Sequence, residues 1–215
     1  MKKRLLMAVA LAIMIGLIFT LNGCQSDQKQ AAKIQKIIEE AATFEKDFAT
    51  NQTELNELRE NARLIYIELI NLNINDKDSI KQKIEESYTY TEQQQLLVKD
   101  AKENYQKAYA TTLKIEKNIN KIKDDDQKNQ ATLLLTIMNE RKKLIGSYFE
   151  HYYENLKLQN TFYQHFEKEN INLESLNEQI NKINERTQEM GEIIQAFNQY
   201  TQQFIEAEKN YYQMN

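Results

Sequence analysis

A chain of 215 residues with no proline, four glycines, one cysteine and no tryptophan lacks the punctuation that turn-rich and strand-rich folds need. Its 28 Lys and Arg stand against 32 Asp and Glu, a formal charge of −4, which excludes the basic character of a nucleic-acid-binding chain. A single cysteine excludes an internal disulfide, so stability has to come from packing.

The chain opens with Lys2, Lys3 and Arg4, and the run from Leu5 to Leu21 carries no charge. A basic start followed by an apolar stretch describes an export signal. The run is near the lower limit for spanning a bilayer, so a retained anchor is the competing reading. The junction Leu21-Asn22-Gly23-Cys24 decides for export. It resembles the lipobox of bacterial lipoproteins: an apolar residue, then a small one, then a thiol that can take a diacylglyceryl thioether. Asn22 stands where Ala or Ser is usual. Two or three acyl chains hold a protein firmly on a membrane, whereas one is marginal.

The expected organisation is therefore a lipoprotein signal peptide over 1–23, cleaved after Gly23, a short tether over 24–30, and a helical bundle domain over 31–215. The expected lipid on Cys24 is covalent diacylglycerol, with no other cofactor and no metal. It would place the chain on the extracytoplasmic face of the cell membrane. Loss of the three basic residues with the signal takes the charge from −4 to about −7. The wealth of Lys, Asn, Glu and Gln points to a low-GC Gram-positive source.

After the signal, four apolar seams follow in chain order, each in alternating steps of three and four. The first runs Ile34, Ile37, Ala41, Phe44, Phe48, Asn51, Leu55, Leu58, Ala62, Ile65, Leu69 and Leu72. Asn51 alone breaks its apolar character, so one long helix is expected, with a bend near 50–53. The second runs Ile80, Ile84, Ser87, Thr91, Gln94, Val98, Ala101, Tyr105, Ala108, Thr112, Ile115, Ile119 and Ile122. It is polar from Ser87 to Gln94, where looser packing is expected. The third has a broader face, from Ala131 through Met138, Ile145, Tyr148, Phe149 and Tyr152 to Phe166. The fourth is narrow: Leu173, Leu176, Ile180, Ile183, Met190, Ile194, Phe197, Phe204 and Tyr211. A three-four repeat held this long is a coiled-coil pattern.

Short polar breaks separate the seams and supply helix caps: Asp78 or Ser79 before the second, the 124–126 carboxylates before the third, and Asn172 before the fourth. The resulting segments, 28–72, 77–122, 126–168 and 173–213, are equal enough to imply antiparallel neighbours. The fold class is all-α: an elongated up-down-up-down bundle of about four long helices, or a three-helix coiled coil with one helix displaced. The 73–79 and 169–172 turns then lie at the tip far from the membrane, and the 124–126 turn faces the lipid.

Little in the sequence carries catalytic chemistry. It holds no glycine-rich phosphate loop and no Gly-x-Ser-x-Gly elbow. His151 and His165 lie ~21 Å apart along one helix, too far to share an ion. The chain is therefore read as no enzyme. Among twelve tyrosines, most fall in the seams. Tyr66, Tyr88 and Tyr153 lie about 100° off them, the turn expected per residue of helix, and form a candidate surface aromatic patch towards the distal end.

The lipobox, the stretch AATFEKDF from Ala41, NINLESLNEQINKINE from Asn170 and YTQQFIEAEKNYY from Tyr200 together resemble the YkyA-type cell-wall-binding lipoproteins of Firmicutes. The resemblance covers nearly the whole chain. It implies a membrane-tethered lipoprotein with peptidoglycan as its partner and no catalytic residues. The alternative is an interaction or spacer coiled coil that holds another envelope protein. Oligomeric state is open on either reading.

Overall fold

The computed structural model describes the backbone from Lys2 to Gln213 apart from residues 168–171, with side chains described from Ser26 onward. Gly23 and Cys24 thus lie outside the described side chains. All described elements are helical: α1 (Lys2–Asn71), α2 (Lys77–Thr112), a 3-10 turn (Leu113–Ile115) leading into α3 (Glu116–Ile119), α4 (Asp125–Phe166) and α5 (Leu173–Gln213). The four rods, counting α1 from Ser26 and joining α2 to α3, are each roughly 60–70 Å long at ~1.5 Å per residue. The fold is an all-α helical bundle.

Caps mark where each rod begins. Ser79 donates its backbone N–H to Asp76 at 3.2 Å and its hydroxyl to the same carboxylate at 2.8 Å. The cap is therefore Asp76, not Asp78 or Ser79, because the helix already begins at Lys77 and leaves Asp76 as the flanking residue. Asp124 accepts the Gln127 N–H at 2.8 Å, with Asp125 and Asp126 in the first turn where the helix dipole favours anions. Asn172 accepts from Glu174 and Ser175 N–H at 2.9 and 3.2 Å. The tether-side turn has a further clasp. Both Asp27 carboxylate oxygens accept main-chain N–H groups, from Lys123 at 3.1 Å and Asp124 at 3.0 Å. Residues 26–30 are helical, with Asp27 and Gln30 buried.

α1 is one continuous helix through 50–53. Thr50 and Thr53 return their hydroxyls to the Lys46 and Ala49 carbonyls, and Asn51 accepts from Asn104 of α2 at 2.9 Å. The polar seam position is thus satisfied across the interface. α1 pairs with α2, α4 with α5, and α2 backs onto α4. This arrangement explains the burial pattern. Every seam residue of the central α2–α3 rod is buried, whereas along outer α1 fully buried and half-buried positions alternate. On α5, Leu173 is 67% exposed, so the seam there starts at Leu176.

Near mid-length each long helix contributes one ring to a single aromatic layer. Phe48 meets Tyr105 at 5.2 Å, Phe197 at 6.0 Å and Phe149 at 6.4 Å, all edge-on, the geometry aromatic quadrupoles favour. Beside this layer lies Arg141, 1% exposed. Its guanidinium makes a two-pronged contact with Glu45, at 2.9 and 2.6 Å, and donates to Thr201. It also stacks 5.2 Å from the Phe197 ring centre and 5.3 Å from Phe204. Burial alone would lower the Arg141 pKa, but the Glu45 carboxylate outweighs it and holds the arginine charged.

Candidate functional site

The distal half is built differently. A groove of about 590 Å³ opens among α1, α4 and α5, within the ~300–1,000 Å³ usual for small-ligand clefts. Its position follows from composition: α5 carries no aromatic residue from Leu173 to Ala196. Opposite the rings of α1 and α4 it brings only Ile180, Ile183, Asn184 and Thr187 to the groove wall.

Tyr66 and Phe162 line one side, with ring centres 5.4 Å apart, and Tyr163 sits 5.5 Å from Phe162. Polar side chains fill the opposite part. Asn155 donates to the Thr187 hydroxyl at 3.0 Å and accepts from Gln159 at 3.3 Å. Gln94, from the polar stretch of the α2 seam, accepts the Tyr152 hydroxyl proton at 2.7 Å. Its own Nε2 is buried without a hydrogen-bond partner, a deficit of about 1–3 kcal/mol. Two cations stand on α1. Arg63 is held by Glu60 in a two-pronged pair at 2.9 and 2.6 Å. Arg59 lies 6.0 Å from the Tyr152 ring centre and pairs with no carboxylate among the described residues.

The three off-seam tyrosines do not come together as one patch. All are half-buried. Tyr66 and Tyr88 pack against the distal cluster of Leu69, Ile80, Ile84, Phe162, Tyr163 and Leu176, whereas Tyr153 packs against the main core. Tyr88 stands edge-on to Tyr163 at 5.9 Å and donates to Glu167 at 3.1 Å. Burial, with the Glu167 carboxylate second, pushes its pKa up to about 12. Burial also raises Tyr66 and Tyr153, the latter with help from Asp100 and Glu103. Only Tyr66 reaches the groove. Tyr153 lines a shallower hollow with Leu96 and Lys99.

His151 lies 3.2 Å from Glu189 and 2.7 Å from the Arg186 guanidinium, in a surface network that also takes in Glu154. Among the described residues no three His, Cys, Asp or Glu side chains converge as metal ligands do.

A family model described as "Putative cell-wall binding lipoprotein", YkyA, matches residues 29–214. The chain belongs to this family. The match begins two residues after Asp27 and runs through the end of α5, so the YkyA family assignment rests on the helical bundle and not on residues 1–28. A crystal structure of a conserved protein of unknown function from Staphylococcus aureus is 14% identical. It aligns over 88% of this chain and 95% of its own with a TM-score of 0.67, a likeness of fold. No curated protein matches the chain. From Ser26 onward, among the described residues, no helix is long and apolar enough to cross a membrane.

Proposed function

We propose that the protein is a lipid-anchored module on the extracytoplasmic face of the cell membrane that binds peptidoglycan without turning it over. The family match over 29–214 carries this reading. The Leu21-Asn22-Gly23-Cys24 junction supports the anchor, through diacylglycerol on Cys24 with cleavage after Gly23. The bundle supports the binding role, because its polar groups are spent on caps, cross-helix pairs and one groove.

The test is co-sedimentation of the full-length protein in detergent with purified sacculi, with and without their teichoic acids. Saturable binding to stripped peptidoglycan is expected. Absence of binding at low and physiological salt overturns the wall-binding reading. Mass spectrometry of the membrane-bound form checks the anchor: the lipid mass is expected on Cys24 and lost in Cys24→Ala.

A second reading, capture of another envelope protein, has one observation in its favour. Ile70, Ile74 and Leu173 are 48%, 50% and 67% exposed and belong to the two turns at the same end of the bundle. Apolar side chains gathered at a tip are a feature of docking surfaces. Recovery of one defined partner, with no binding to sacculi, would favour this reading.

A further inference from the structure

The α1–α4–α5 groove combines three features whose chemistry converges on one kind of ligand. Its aromatic side offers the half-buried Tyr66 ring, backed by the buried Phe162, an apolar surface of the kind on which sugar rings and methyl groups pack. Gln94, which lines it, has a buried amide donor, Nε2, with no hydrogen-bond partner among the described residues. Its α1 wall holds Arg59, half-buried against Tyr152 and unmatched by any described carboxylate. The neighbouring Arg63 is already neutralised by Glu60. The groove therefore leaves one amide donor and one cation without an acceptor among the described residues, while presenting an apolar face.

We propose that this groove is the site that takes the wall fragment, an N-acetylated disaccharide carrying a peptide with a free carboxylate. The proposal deepens the wall-binding reading and rests on it. Arg59 takes the carboxylate, the pairing for which a planar guanidinium is suited. Gln94, with Asn184 at the rim, meets acetamido and hydroxyl oxygens. Tyr66, held in place by the buried Phe162 behind it, packs against the apolar face of the sugar. A polyanion such as a teichoic acid fits poorly. The groove has a single unpaired cation, a carboxylate at its rim in Glu60, and a chain of net negative charge around it.

Isothermal titration calorimetry of the full-length protein in detergent tests this, with a purified disaccharide–pentapeptide as probe. Saturable binding is expected, weakened about tenfold for the disaccharide without its peptide and about tenfold in Arg59→Gln. Lys114→Gln, whose amine pairs with Glu40 away from the groove, is expected to stay within about twofold. Unchanged affinity in Arg59→Gln, or tighter binding of a glycerol-phosphate polymer than of the disaccharide–peptide, overturns the proposal. Should Arg59→Gln lose the cooperative helical unfolding of the parent, Gln94→Leu replaces it, and undiminished affinity there is equally fatal. Failure to bind the disaccharide–peptide while sacculi are still bound removes the groove assignment alone. Failure of both removes the wall-binding reading with it.

Discussion

Around Phe48 and around Phe162 the same four helices reach opposite outcomes. At Phe48 every long helix supplies a ring, and the space between them closes on the buried Arg141 and its partly exposed partner Glu45. At Phe162 the rings come from α1, α2 and α4 only, the α2 seam turns polar at Ser87, Thr91 and Gln94, and a groove is left beside α5. A coiled-coil repeat fixes where helices touch; the volume of the side chains placed on it fixes whether the contact seals. The tether-side half carries the stability and the distal half the accessible chemistry.

Breaking the sealed half should cost most. Arg141→Ala strands the Glu45 carboxylate and is expected to lower unfolding free energy by about 3–5 kcal/mol in chemical denaturation. The double change Arg141→Met with Glu45→Leu should recover most of it, since matched apolar groups can replace a buried pair at little cost. A smaller loss left by the single change would mean that Glu45 escapes to solvent. Truncating one ring in each region comes next. Phe48→Ala and Phe162→Ala are each expected to cost about 4 kcal/mol, because both rings are buried among other rings on either side of the contrast.

Filling the open half should separate the two properties. Ile183→Phe puts ring volume where α5 has none. It is expected to change stability by less than about 1 kcal/mol while removing binding of the disaccharide–peptide in calorimetry. The smallest effect lies near the end of α5. Burial, reinforced by the nearby Glu45 and Glu39 carboxylates, raises the Glu208 pKa above 4.5. The folded chain then holds this proton more tightly than the unfolded one, so stability from Glu208 is present at low pH and lost as pH rises through its folded pKa. Glu208→Gln should therefore raise the neutral-pH melting temperature slightly, by about 1 °C. The difference should vanish below pH 4.5.

Periodicity made the architecture legible before any coordinates, most fully on the central rod, whose seam residues are all buried. Local caps were legible to within a residue or two: Asn172 and Asp124 as expected, Asp76 instead of its neighbours. Arg141 was not, because it sits in a run of charged residues, Glu140-Arg141-Lys142-Lys143, that reads as a solvated face. Its signal was positional. The step from Met138 to Ile145 skips a seam place, and Arg141 occupies it. The groove was half visible. A polar stretch in the α2 seam implied loose packing, but which helices would border it depends on how the two hairpins face each other, which no single seam encodes. The tyrosines failed as a patch for the same reason, since an angle off one seam does not name the helix on the other side.

Arg59 lies on the same helix as Asp27, ~50 Å further along at ~1.5 Å per residue. A wall strand gripped at Arg59 and a lipid upstream of Ser26 would pull on one rod from its two ends. Tension would then run in series through the main-chain hydrogen bonds of α1, and the other helices would feel it only as shear across their side-chain contacts. The aromatic layer and the Arg141–Glu45 clamp sit between those two points, so the most tightly packed part of the bundle splints the stretch of α1 that bears the load.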